Sequence, residues 1–134
     1  MSHEQAILAL DVGEKRIGVA IADSKVKIAI PFETIVVDGD ELKEIIAIIE
    51  KERVGTLVIG YPRNQSGEAT AQTDFVEQFA KQLSDLDLKI VFQDESLTSV
   101  EAEKQLQELG GNYEKSDIDK RAAAIILQDY LEAH

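Results

Sequence analysis

Three acidic residues, Asp11, Glu95 and Asp119, come from distant parts of this chain, and each sits beside an apolar segment. Carboxylates are oxygen-only ligands that suit Mg²⁺ or Mn²⁺, and phosphoryl transfer is the chemistry such clusters serve. Asp11 closes the run Ala6-Ile7-Leu8-Ala9-Leu10, and Gly13, Lys15 and Arg16 follow in the next turn, where a phosphate could dock on two cations and on backbone N–H groups. Glu95 follows the run Leu88 to Phe92, with Asp94 beside it as the reserve candidate. Asp119 precedes Ala122 and Ala123 by three and four positions, so it heads the core-facing stripe of its helix. Each acid also has a plainer reading. Asp11 could cap a hairpin as an Asx turn, Asp94-Glu95 could be local solvation, and Asp119 could offset a helix dipole. Their coincidence favours a shared site.

The totals narrow the chemistry further. A chain of 134 residues is expected to form a single domain, 1–134, with its own core. Cysteine is absent and the two histidines, His3 and His134, stand at the ends, which excludes disulfides, thiolate nucleophiles and cysteine zinc sites. Catalysis would depend on carboxylates. No basic segment leads into an apolar run before the first strand, and no eighteen apolar residues follow one another, so the expectation is a cytoplasmic protein with no membrane partner. The net charge of −12 repels nucleic acid at long range, so a nucleic-acid partner would need a local patch of cations.

The elements that must position these groups can be read from periodicity. Ala6 to Asp23 reads as strand, tight turn, strand, with the first run apolar on both faces as in a central covered strand. A third extended run, Ile28 to Val37, contains Pro31, which suits an edge. From Glu41, Leu42, Ile45, Ile46, Ile48 and Ile49 recur at helical spacing until Val54-Gly55. Thr56 to Gly60 is a buried strand, and Phe75, Val76, Phe79, Ala80 and Leu83 mark a second helix. Leu88 to Phe92 is the fifth strand. A third helix runs from Thr98 to about Leu109, and a last helix starts near Ser116 with Ala122, Ala123, Ile126, Leu127 and Tyr130 on one side. The fold class is α/β: a mixed five-stranded sheet, three antiparallel strands and then two parallel, flanked by helices.

These segments resemble a known family, YqgF or RuvX, described as Holliday junction resolvases and as nucleases for precursor small-subunit ribosomal RNA. The likeness spans nearly the whole chain. Leu10-Asp11-Val12-Gly13-Glu14-Lys15-Arg16-Ile17-Gly18-Val19-Ala20 looks like its first signature and Val58-Ile59-Gly60-Tyr61-Pro62-Arg63-Asn64-Gln65-Ser66-Gly67 its second. Asp94-Glu95-Ser96-Leu97-Thr98 is similar to the third, and Ile118-Asp119-Lys120-Arg121-Ala122-Ala123 to the closing helix. The resemblance implies a ribonuclease H-like fold, a two-metal nuclease mechanism, and a site at Asp11, Glu95 and Asp119 holding Mg²⁺ or Mn²⁺. Ser96 stands where the family usually carries Arg.

Lys15, Arg16, Arg63, Lys115, Lys120 and Arg121 come from segments expected at the rim and could form a basic collar, with Gly13 and Gly60 allowing a phosphate close approach and Asn64 a further substrate-binding residue. The expected substrate is precursor 16S rRNA, cut in maturation of its 5′ end, or branched DNA, and the expected state a monomer or homodimer. Two rival classes remain: an ATP-binding lobe like those of actin and sugar kinases, whose phosphate loop also carries Asp-x-Gly, and a non-catalytic nucleic-acid-binding module.

Overall fold

The computed structural model describes residues 5–62, 71–95 and 98–133, without the side chains of Ala71, Glu95, Thr98 and Ser99. Its strands are β1 (Ala6–Val12), β2 (Arg16–Asp23), β3 (Ile30–Val36), β4 (Val54–Pro62) and β5 (Lys89–Glu95). Its helices are α1 (Glu41–Lys51), α2 (Ala71–Lys81), α3 (Thr98–Leu109) and α4 (Lys115–Ala133). The strands form one sheet in the order β3-β2-β1-β4-β5, antiparallel from β3 to β1 and parallel from β1 to β5. This is the mixed sheet expected from the alternation of runs, and it is the ribonuclease H-like α/β arrangement.

The two faces of the sheet differ in volume, and the pleat explains why. Along β1, Leu8, Leu10 and Val12 face one way and pack with Val19, Leu57, Ile59, Ile45, Val76 and Leu83, the side covered by α1 and α2. Ala9 faces the other way and packs with Ala20, Ala22, Val58, Ala123, Ile126 and Leu127, the side covered by α4. Each fully buried leucine or isoleucine on the first face adds about 1.5–3 kcal/mol. On the second face alanines stand on both partners, Ala9, Ala20 and Ala22 on the sheet and Ala123 on the helix, and α4 touches β1, β2 and β3.

Several boundaries differ from expectation for identifiable reasons. The third strand begins at Ile30 rather than Ile28, because Lys27 turns the chain with a φ of 60° and the Ala29 N–H donates to Gln128 Oε1 at 3.0 Å instead of to the ladder. Arg53, with a φ of 55°, ends the turn after α1, and β4 then starts at Val54 and runs longer than the apolar core of Thr56–Gly60. Ala122 does not share the sheet-facing stripe: it packs with Ala102 and Ile125 between α3 and α4. The start of α4 is a reciprocal cap, with the Glu114 N–H donating to Asp117 Oδ2 at 2.9 Å and the Asp117 N–H donating to the Glu114 carbonyl at 3.0 Å. At the far edge β3 leaves Ile30 and Val36 exposed.

Asp129, on α4, has its carboxyl pKa raised from the ordinary 3.8, first by loss of surrounding water and then by the like charges of Glu101 and Glu132. A raised folded pKa means that the folded chain binds the proton more readily than the unfolded chain, so this group lowers stability as pH climbs through that range. Asp129→Asn is therefore expected to melt above the wild type at pH 7, with the difference closing as the pH falls below 3.8, as followed by thermal denaturation at a series of pH values.

Candidate active site

One transverse row of register partners organises the site. Asp11 on β1 stands opposite Gly18 on β2, and Gly18 stands opposite Thr34 on β3. Cross-strand partners share a side of the pleat, and Ala9 and Ala20 show that this is the α4 side. The first turns of α4 lie across the row. Ser116 is held at its β3 end, where Thr34 Oγ1 donates to the Ser116 carbonyl at 2.6 Å. Asp119 sits over its middle: a β-carbon on Gly18 would come 2.0 Å from the Asp119 carbonyl oxygen. The glycine is required by close approach, not by its dihedral angles.

Asp11 and Asp119 thereby border one cleft of about 510 Å³, together with Gly13, Lys15, Arg16 and Gln72. The hairpin that forms its floor is closed by the Gly13 N–H donating to the Arg16 carbonyl at 3.0 Å, and a β-carbon at Gly13 would lie 2.7 Å from that same oxygen. The Val37 N–H donates to the Lys15 carbonyl at 2.9 Å, which pins the turn to the end of β3. Arg16 has the pleat side of Gly18, and its Nε lies 2.5 Å from Asp119 Oδ2.

Other expected residues are distributed less simply. Gly60 is buried on β4, on the pleat side of Val58, and pairs with Gln93. The backbone of Glu95 pairs with Pro62, and position 95 has the pleat side of Val91, which packs in the α4-side cluster, whereas Asp94 has the opposite side. Arg63 and Asn64 lie outside the described residues, as does Ser96. The collar of cations is partly committed: Arg16 is paired with Asp119, and Lys120 Nζ lies 3.6 Å from Asp117 Oδ1. Lys15 and Lys115 are exposed. Arg121 Nε is buried with no hydrogen-bond partner among the described residues.

Two residues of α2 belong to the site region without having been singled out. Gln72 Nε2 donates to the Val12 carbonyl at 3.2 Å, and Thr73, fully buried, donates through Oγ1 to the Pro62 carbonyl at 2.5 Å. Together they dock the start of α2 on the carboxyl ends of β1 and β4. The available signal was Thr73 itself, a polar residue on the apolar stripe that continues through Val76 and Ala80. Among the described residues no three acidic or histidine side chains form a group that could hold a metal ion. The cleft is lined by the carboxylates of Asp11, Glu14 and Asp119 and by no softer ligand, the hard oxygen set that fits Mg²⁺ or Mn²⁺.

Comparison with known proteins shows the family and the fold. The family model described as "RuvX: Holliday junction resolvase" matches residues 5–133. A protein of Chloroflexus aurantiacus named "Putative pre-16S rRNA nuclease" is 44% identical over 136 residues, covering 98% of this chain and 89% of the relative. One of the same name from Synechocystis is 41% identical over 137 residues, covering 98% and 90%. Among solved structures, Thermus thermophilus RuvC in complex with a Holliday junction superposes with a TM-score of 0.59 at 12% identity, covering 96% of this chain and 95% of that one. The fowlpox virus resolvase in complex with junction DNA gives 0.59 at 11%, covering 96% and 98%. These two likenesses show a shared fold. No helix among the described residues is long and apolar enough to cross a membrane.

Gly18→Ala is expected to lower stability by about 2–3 kcal/mol, a Tm fall of roughly 10 °C, because α4 must lift from β2 to admit the methyl group. Thermal denaturation of the purified variant checks it.

Proposed function

As the chain belongs to the RuvX family of Holliday junction resolvases, we propose that it is a divalent-metal nuclease that hydrolyses phosphodiester bonds of precursor 16S rRNA in the maturation of its 5′ end. The observation that carries the reading is the meeting of Asp11 and Asp119 at one cleft, 108 positions apart in the chain and brought together over Gly18. The names of the curated relatives support the substrate.

In this reading Asp11 and Glu95 would hold one Mg²⁺ or Mn²⁺, and Asp119 would share it or hold a second. Strand β4 lies between β1 and β5, and Glu95 is two residues beyond the partner of Gly60, so the backbones of Asp11 and Glu95 are separated by about 12 Å. A cation held by both residues would have to bridge that span. When bound, the metal supplies Lewis acidity towards the phosphate and lowers the pKa of a water. The protein's own part is positional. Asp11 is fixed by the β1–β2 ladder, Asp119 by the seat of α4 on Gly18, and Lys15 with the hairpin N–H groups offers positive potential to a non-bridging oxygen. Arg63, Asn64 and Lys120 are further phosphate contacts, and they carry more of that task because Ser96 supplies no cation.

Cleavage of branched DNA is the second reading, favoured by the description of the family itself. It would call for two copies of the chain, since a four-way junction is cut at paired points. A side-by-side assay with Mn²⁺ on ribosomal precursor RNA and a synthetic four-way junction separates the two. Cleavage of the precursor is expected, and Asp11→Asn is expected to reduce it by about 10²–10³-fold while melting like the wild type. Undiminished cleavage by that variant would remove the proposal.

A further inference from the structure

The contact between Arg16 and Asp119 sets two cations in competition for one carboxylate. Arg16 opens β2 on the α4 side of the pleat, and its main chain is held by the Gly13 N–H on its carbonyl, so its side chain starts from a fixed base. Asp119 is equally fixed by the seat of its backbone on Gly18. The two side chains meet at 2.5 Å, with 35% and 20% of their surfaces exposed, inside the cleft that also carries Asp11. A charge-assisted contact of that length occupies Oδ2, one of the two oxygens Asp119 can offer a cation, and leaves a positive charge beside the carboxylate.

We propose that Arg16 is the built-in counter-cation of Asp119, holding the carboxylate until a metal ion and a nucleic-acid phosphate take over its two partners. The inference rests on the reading of Asp11 and Asp119 as metal ligands. Partly exposed ion pairs are weak enough to exchange partners, and a guanidinium fits a phosphate as well as it fits a carboxylate. A phosphate entering over the hairpin would draw Arg16 from Asp119 and leave Oδ2 open to a cation. By linkage, nucleic acid then tightens metal binding and metal tightens nucleic-acid binding by the same factor. Arg16 is thus a positioning residue that makes loading of the cation depend on the presence of substrate.

Titration calorimetry with Mn²⁺ alone, without nucleic acid, reads this directly. Arg16→Gln is expected to bind Mn²⁺ roughly five- to tenfold more tightly than the wild type, because one competing cation is gone. Arg16→Lys keeps the charge and is expected to stay within about twofold of the wild type, while in an Asp119→Asn background Arg16→Gln should change nothing. Arg16→Met, which keeps the aliphatic stem, carries the same expectation should Arg16→Gln not fold. Unchanged or weaker Mn²⁺ binding by the folded Arg16→Gln or Arg16→Met protein overturns the proposal. Asp11→Asn separates the two levels: if it loses Mn²⁺ while Arg16→Gln matches the wild type, the counter-cation role alone fails. If Asp11→Asn binds like the wild type, the metal reading fails and takes this inference with it.

Discussion

A missing methyl group at Gly18 is the constraint on which the site depends. Helix α4 can bring its own backbone against β2 because nothing projects from that strand at the point of contact. The register then does the rest, since the residue opposite Gly18 is Asp11 and the residue resting on it is Asp119. Two carboxylates from distant segments thereby border one cleft. The distance between them is governed by backbone packing, which is stiffer than side-chain contact and less easily disturbed by solvent or salt.

The same arrangement bears on how a chain with a net charge of −12 deals with a polyanion. Its cations near the cleft are not a uniform positive surface. Arg16 and Lys120 already face carboxylates of α4, and Lys15 stands exposed at the hairpin tip. Attraction at long range is therefore weak, and recognition falls to short-range contacts made after encounter. An enzyme of this kind would select by fit within the cleft more than by field outside it.

Much of this was legible along the chain because the controlling features are local. The continuous apolar run Ala6–Leu10, the position of Asp11 at its end and the helical spacing from Leu42 to Ile49 each need only a short window. What escaped such reading involves partners far apart. Arg16 and Asp119 are 103 positions apart, Gln72 and Val12 are 60 apart, and no propensity encodes either contact. The late start of β3 is of the same kind, since Ala29 spends its N–H on Gln128 of α4. The spacing on α4 suggests one face, yet the helix serves two neighbours: Ala123, Ile126 and Leu127 meet the sheet while Ala122 and Ile125 meet α3.

The unequal thickness of the two layers has a consequence for how the chain tolerates change. On the side of α1 and α2, bulky aliphatic side chains interdigitate, and volume lost at one position can be recovered at a neighbour. On the side of α4 the alanines act as a spacer gauge: any enlargement at Ala9, Ala20 or Ala123 lifts the helix, and with it the acid it carries. One layer is free to drift in composition while the other is calibrated, so a variant can stay folded and still lose the alignment of its carboxylates.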